Sequence, residues 1–287
     1  MAGTTSGTPR VRALGDALRE AREAVGLGVR ELGRRIGMPH STLSRYELGQ
    51  RSPSPEDVAT ILAAVGIDDR RREELLALAR EPEKTQWLSV GMTEQQRQLA
   101  ALLNFERSAK RIVDVAPLLV PGLLQTADYA RAIMSEGGVS EEEIDTRVAV
   151  RLGRRDALER KEPVSMVALI GMSVLQQDIG GPAVMLDQLR HLLRMAVLPN
   201  VEIRIIPTHS RWNPSLEGPF LLVEPMDDET SAVVHLENRR SALLMHEEVD
   251  VNAYREGVEK VLRVALTSEE SLTVIKREAE NQERAIE

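Results

Sequence analysis

The sequence predicts a mainly α protein: an N-terminal domain of five short helices, followed by an α+β C-terminal domain. Three observations predict it. Apolar residues recur at helical spacing through residues 11–80, short β-branched runs first appear at residue 164, and charge differs between the two parts. Residues 10–55 carry nine arginines against five acids, whereas residues 81–287 carry 24 basic and 34 acidic side chains. A mildly basic N-terminal part on an acidic body points to a polyanion-binding module joined to one of different purpose.

Residues 1–9 are rich in Gly, Thr and Ser and read as a disordered tail. Val11, Leu14, Leu18, Ala21 and Val25 keep the helical period, which Gly26 stops. A second helix fits Val29–Ile36 and stops at Gly37; a third runs from His40 to Leu48 and stops at Gly49. Ser54-Pro55-Glu56-Asp57 reads as an N-cap, a first-turn proline and an acid three residues after the cap. It opens a helix with Val58, Ile61, Leu62 and Val65 inward, and residues 69–80 supply the fifth. The N-terminal domain is therefore placed at 10–80.

Residues 81–92, with Pro82 and Gly91 and little periodicity, read as a linker. Thr93 caps an expected connecting helix through Arg111, so that 81–112 forms linker and connecting helix and 113–287 the C-terminal domain. A turn-rich stretch follows, with a helix starting near Thr126 and another over 140–160 that places Glu141–Glu143 at the positive end of its dipole. Val164–Ile170 and Val201–Ile206 read as strands, and 182–197 between them is near-helical, a crossover unit with parallel strands. Phe220–Val223 and Val233–Leu236 read as two more strands. Two helices close the chain, one with its apolar stripe at 251, 254, 258, 261, 262 and 265, the other opening at the capping box Thr267-x-x-Glu270.

Composition removes several function classes. Cysteine is absent, which excludes disulfides, thiolate catalysis and cysteine-based metal sites. Aromatic residues make up only 2%, which disfavours stacking platforms for single strands and aromatic cages for cations. No apolar run approaches membrane-spanning length and the N-terminus lacks a signal-peptide core, so a cytoplasmic location without membrane association is expected. There is no G-x-S-x-G, P-loop, G-x-G-x-x-G or H-E-x-x-H, and His191, His209, His235 and His246 are not paired at i, i+4. Asp227-Asp228-Glu229 reads as solvated acids at a loop tip. No catalytic residue, metal site or cofactor is expected.

The strongest motif is LGVRELGRRIGMPHSTLSRYELGQRSPS over 27–54. Two short helices flank a tight turn at Gly37-Met38-Pro39, the spacing of a helix-turn-helix. Leu32, Ile36, Leu43 and Tyr46 supply the apolar contact that sets their angle. With Glu31-Leu32, Gly37, Ser41, Leu43-Ser44, Glu47, Gly49 and Pro53, the segment resembles the Xre/Cro repressor family. The resemblance covers about 60 residues and implies a lambda-repressor-like helix-turn-helix domain bound to double-stranded operator DNA. Carried over by position, His40, Ser41, Ser44 and Arg45 would face base edges. Arg45 has the fork that suits guanine O6 and N7. Thr42, Arg35 and Arg51 suit phosphates, and Arg30 stands where relatives use a Gln for that purpose. Pro39 replaces the usual Ser/Thr cap. Glu47 reads as one half of a structural ion pair with Arg35 or Arg51.

Residues 105–287 resemble the DUF5753 C-terminal domain of actinobacterial Xre-type regulators, through Pro117–Thr126 (PLLVPGLLQT), Tyr129-Ala130-Arg131, Arg147, Arg151-Leu152, Gln188-Leu189 and Ile205-Ile206-Pro207. That resemblance implies an antitoxin-like or developmental regulator, often encoded beside a small DUF397-type protein. Arg147, Arg151, Arg154 and Arg155 share one helical face. They read either as a stripe for an acidic partner or ligand, or as a solvated face neutralised by Glu141–Glu143, Asp156 and Glu159. PGLLQT reads as a turn and helix start with Thr126 as cap. The expected function is a homodimeric, sequence-specific DNA-binding repressor gated by a small partner protein. Two readings stand beside it: an antitoxin whose main role is neutralising that partner, and a small-molecule-sensing one-component regulator.

Overall fold

The computed structural model describes residues 8–80, 86–90, 99, 102–226, 231–239 and 241–286. Contacts divide the chain into two units, one of residues 1–104 and 227–248, the other of residues 105–226 and 249–287.

The first unit holds five helices: α1 (Pro9–Ala24), α2 (Val29–Ile36), α3 (His40–Glu47), α4 (Pro55–Val65) and α5 (Asp69–Arg80). Their caps follow the sequence. Thr8 accepts from the Val11 N–H, so only residues 1–7 of the expected tail lie outside the described residues. Ser54 accepts from the Asp57 N–H at 3.0 Å ahead of Pro55. Val11, Leu14, Leu18, Leu32, Leu43, Val58, Ile61, Leu62 and Leu75 are buried and form the core of these helices.

The expected linker and connecting helix need correction. Within 81–92, Gln86–Val90 is a strand, β1, paired antiparallel with a strand absent from the sequence reading, β7 (Ser241–Met245). β7 in turn pairs antiparallel with β6 (Val233–Asn238). The helix expected from Thr93 through Arg111 is helical over 102–107 and gives way to strand at Ala109; residues 91–98 lie outside the described residues. The physical reason is in the run Ile112-Val113-Asp114-Val115, whose β-branched side chains favour a pleated surface and bury on both faces.

The second unit is built on a four-stranded sheet in the order β5-β2-β3-β4, from β2 (Ala109–Ala116), β3 (Ser165–Gly171), β4 (Val201–Ile206) and β5 (Phe220–Pro225). β2, β3 and β4 run parallel, with Val113 opposite Val167 and Ala168 opposite Ile203; β5 runs antiparallel to β2. β3 is buried from Met166 to Gly171, as a central strand covered on both faces requires. The expected crossover is present: the helix Pro182–Met195 links β3 to β4 and packs on the last helix, Ser268–Ile286. Thr267 and Glu270 form the reciprocal cap of that last helix, with the Thr267 N–H donating to Oε2 at 2.9 Å and the Glu270 N–H to Oγ1 at 3.2 Å. Arg204 of β4 donates to the Leu262, Ala265 and Leu266 carbonyls, covering the C-terminal end of the helix Glu248–Val264.

The single helix expected over 140–160 is interrupted. It runs from Glu141 to Gly153, turns at Arg154-Arg155 and resumes as one turn, Asp156–Glu159.

Candidate nucleic-acid interface

Gly37 closes α2 in the left-handed conformation, with φ 69°, which permits the chain to reverse without strain. Met38 and Pro39 complete the turn, and α3 starts at His40 with no side-chain cap, as Pro39 dictates. Leu32 and Leu43 are fully buried between the two helices, while Ile36 is only half-buried.

At 100° per residue, His40, Ser44, Ser41 and Arg45 fall in one arc of α3, with Leu43 and Tyr46 across the helix and Glu47 at the edge of the arc beside His40. The exposure agrees with this arc. His40, Ser41 and Arg45 are exposed and Ser44 is half-buried, whereas Leu43, Tyr46 and Glu47 are buried. The four residues named as base readers thus share one solvent-facing surface. Thr42 lies at its margin, half-buried, and Arg30 is exposed on α2.

The ion pair expected between Glu47 and Arg35 or Arg51 has a different partner. Glu47 is gripped by Arg22 of α1 through two bonds, Nε to Oε1 at 2.7 Å and Nη2 to Oε2 at 2.8 Å. Arg22 also donates from Nη1 to the Leu27 carbonyl at 2.7 Å, so one buried guanidinium ties α1, the α1–α2 turn and α3 together. Desolvation of a lone buried carboxylate selects the bidentate arginine that α1 can supply at that depth. The signal was present in the sequence: Arg22 falls four residues after Leu18 on the apolar stripe of α1. Gly15 is a second residue the motif did not reveal. A Cβ there would meet the Tyr46 carbonyl oxygen and the Glu47 carbonyl oxygen, the latter at 2.9 Å, so glycine permits the close crossing of α1 over α3.

Arg35 donates to the Ala64 carbonyl at the end of α4 at 3.5 Å and lies 4.0 Å from Glu31. The Arg51 guanidinium lies 5.7 Å from the centre of the Tyr46 ring. The Tyr46 hydroxyl donates to Asp57 Oδ2 at 2.7 Å, and burial together with that carboxylate pushes its pKa to about 12. Arg51 therefore rests on a ring that is itself anchored to α4.

The second candidate group, in the other unit, is arranged differently from either sequence reading. Only Arg147 sits on the acidic helical face, 2.8 Å from Glu143. Arg151 donates to Gln125 Oε1 at 2.9 Å and Arg155 to the Gln125 carbonyl at 2.6 Å. Arg154 grips Glu106 through Nε at 2.9 Å and Nη2 at 2.5 Å, with Glu106 2% exposed. These three side chains turn inward, Arg151 and Arg155 onto Gln125 and Arg154 onto the buried Glu106. The loop of Gln125 is held from its other side. Gln188 donates to the Leu124 carbonyl and accepts from the Thr126 N–H, at 2.8 and 2.7 Å, and Thr126 caps the helix Ala127–Glu136. Nearby, burial pushes Asp114 of β2 up to about 7, opposed by Arg154 and reinforced by Glu106. Burial, with Arg155 and Arg194 adding to it, drives His191 down to about 4.

Among the described residues no group of three or more His, Asp or Glu side chains could hold a metal ion, and no helix is long and apolar enough to cross a membrane. Asp227-Asp228-Glu229 lies outside the described residues.

Comparison with known proteins agrees with both halves of the sequence. Residues 13–75 match a family described as a helix-turn-helix domain. Among solved structures, the archaeal chromatin protein TrmBL2, whose structure is described as showing a novel mode of DNA binding, is similar at 16% identity over 90% of this chain and 92% of that one. The TM-score is 0.30, too low to establish a shared fold. No curated protein matches. Residues 99–277, well over half of the chain, match the family described as Domain of unknown function (DUF5753), and with a helix-turn-helix domain ahead of it the chain belongs to that family.

Proposed function

We propose that the protein is a sequence-specific DNA-binding transcriptional regulator that acts as a homodimeric repressor, controlled through its C-terminal domain by a small partner protein. The observation that carries the DNA-reading part is the surface of α3. His40, Ser41, Ser44 and Arg45 share one solvent-facing arc, and the helix that carries it is fixed in place by the buried Arg22–Glu47 pair. In this reading Arg45 takes a guanine edge, and Arg30, Arg35, Thr42 and Arg51 take phosphates. A single helix-turn-helix makes few contacts, so two copies about 34 Å apart supply the affinity. A partner that alters their spacing then releases both half-sites at once. The inward-turned Arg151, Arg154 and Arg155 support a positioning role for these residues, and Arg147 is left as the arginine of that group facing outward for a partner.

The test is fluorescence anisotropy on the DNA upstream of the protein's own gene, across a salt series, with and without the small neighbouring protein. Arg45→Ala should cost about 1–3 kcal/mol on the specific site and little on random DNA. Equal loss on both, or none, would sink the assignment of Arg45 as a base reader. Unchanged binding in the presence of the neighbouring protein would remove partner control.

A further inference from the structure

The reading surface of α3 has an apolar member. Leu48 caps the helix in a helical backbone conformation, φ −86° and ψ −1°, with its N–H donating to the Ser44 carbonyl at 3.0 Å, so the helical spacing still applies to it. Counting 100° per residue from His40, Ser44 falls at about 40°, Leu48 at about 80°, Ser41 at about 100° and Arg45 at about 140°. Leu48 thus lies in the middle of the arc, one turn beyond Ser44 and three residues beyond Arg45. It is 56% exposed, whereas Leu43 on the opposite side is fully buried. An exposed leucine needs no explanation by itself; a leucine that continues, at its C-terminal end, a surface otherwise made of His, Ser and Arg has a chemical counterpart in the major groove. Thymine alone presents a methyl group there, and apolar side chains recognise it.

We infer that Leu48 is a specificity residue, selecting a thymine by contact with its C5-methyl group next to the base pair read by Arg45. The inference rests on the proposed DNA-reading role of α3 and adds to it an apolar contact that hydrogen-bonding residues cannot supply. It also accounts for how a face with one long donor, Arg45, and three short side chains can distinguish more than guanine.

The experiment has two steps, on the full-length protein. Binding sites are first selected from random duplex DNA with wild type, Leu48→Ala and Leu48→Met. Each thymine of the selected site is then replaced by deoxyuridine, which removes only the methyl group. The expected result is one thymine position at which uracil weakens wild type by about three- to fivefold, the scale of one buried methyl group. Leu48→Met should keep that sensitivity; Leu48→Ala should lose it and select any base there. Uracil indifference at every position in wild type overturns the inference, as does a Leu48→Ala variant that weakens binding uniformly while retaining the uracil effect. Recovery of no preferred sequence at all would instead overturn the DNA-reading role of α3, a distinguishable outcome. Because Leu48 is exposed, thermal unfolding of Leu48→Ala should match wild type, separating loss of contact from loss of fold.

Discussion

Arg22 shows how a single side chain can set the aim of a surface it does not join. Its guanidinium grips Glu47 and the Leu27 carbonyl, with a longer bond to Glu23 beside it, and through Glu47 it fixes where α3 stands against α1. Removing one partner of such a buried pair leaves a desolvated charge, so Arg22→Ala should lower stability by about 3–5 kcal/mol, seen as an earlier loss of helical circular dichroism in urea. Arg22→Met combined with Glu47→Leu should recover much of that loss, because an apolar pair of similar volume carries no desolvation penalty. Gly15→Ala makes a separate prediction. The added methyl group meets carbonyl oxygens of α3, so the helix must shift, and DNA affinity should fall together with stability. At this scale the motif was legible through spacing alone: His40, Ser41, Ser44 and Arg45 stand together because any helix over these residues puts them there. The partner of Glu47 was not, since three arginines were available and only depth distinguishes Arg22.

At the scale of elements, what could be read depended on whether one residue pattern had one structural outcome. The caps at Ser54, Thr126 and Thr267 and the stop at Gly37 were visible because each needs a particular atom or a particular φ. β2 was hidden because residues 102–116 run from helix into strand with no Pro or Gly between them. β1 escaped because it is short and finds its partner far along the chain, Gln86 opposite Met245, and β7 because it is only five residues long and follows β6 almost at once. The helix break at Arg154-Arg155 was likewise silent, since the residues that stabilise it, Glu106 and Gln125, are distant in sequence. β2 also carries a pH dependence. Asp114 has a raised pKa, about 7 against an ordinary 3.8, so the folded state holds its proton more tightly and stability falls as pH rises from about 4 to 7. His191, lowered from 6.5 to about 4, works in the opposite sense, adding stability as pH rises through that window to 6.5. Asp114→Asn should therefore leave a stability that climbs between pH 4 and 6.5 and then stays level, measured by urea unfolding at each pH. A downward slope between pH 6.5 and 7 persisting in the variant would assign it to another group.

For the whole molecule, the proposed homodimer predicts a mass near twice 31.9 kDa by gel filtration with light scattering. A strict monomer that still binds its specific site would remove the two-half-site mechanism. The formal charge of −8 also understates how the acidic part looks to a polyanion. Arg151, Arg154, Arg155 and Arg204 each spend their donors on carbonyls, an amide or a buried carboxylate of the same unit, while Glu141, Glu142, Glu159 and Asp156 remain exposed. Bonds to neutral carbonyls leave those charges in place, so the field outside is set by the excess of 34 acidic over 24 basic side chains in residues 81–287. A duplex approaching that part meets a barrier that falls off over a Debye length of about 10 Å at 0.1 M salt. Repulsion there opposes the approach that the arginines of the helix-turn-helix favour.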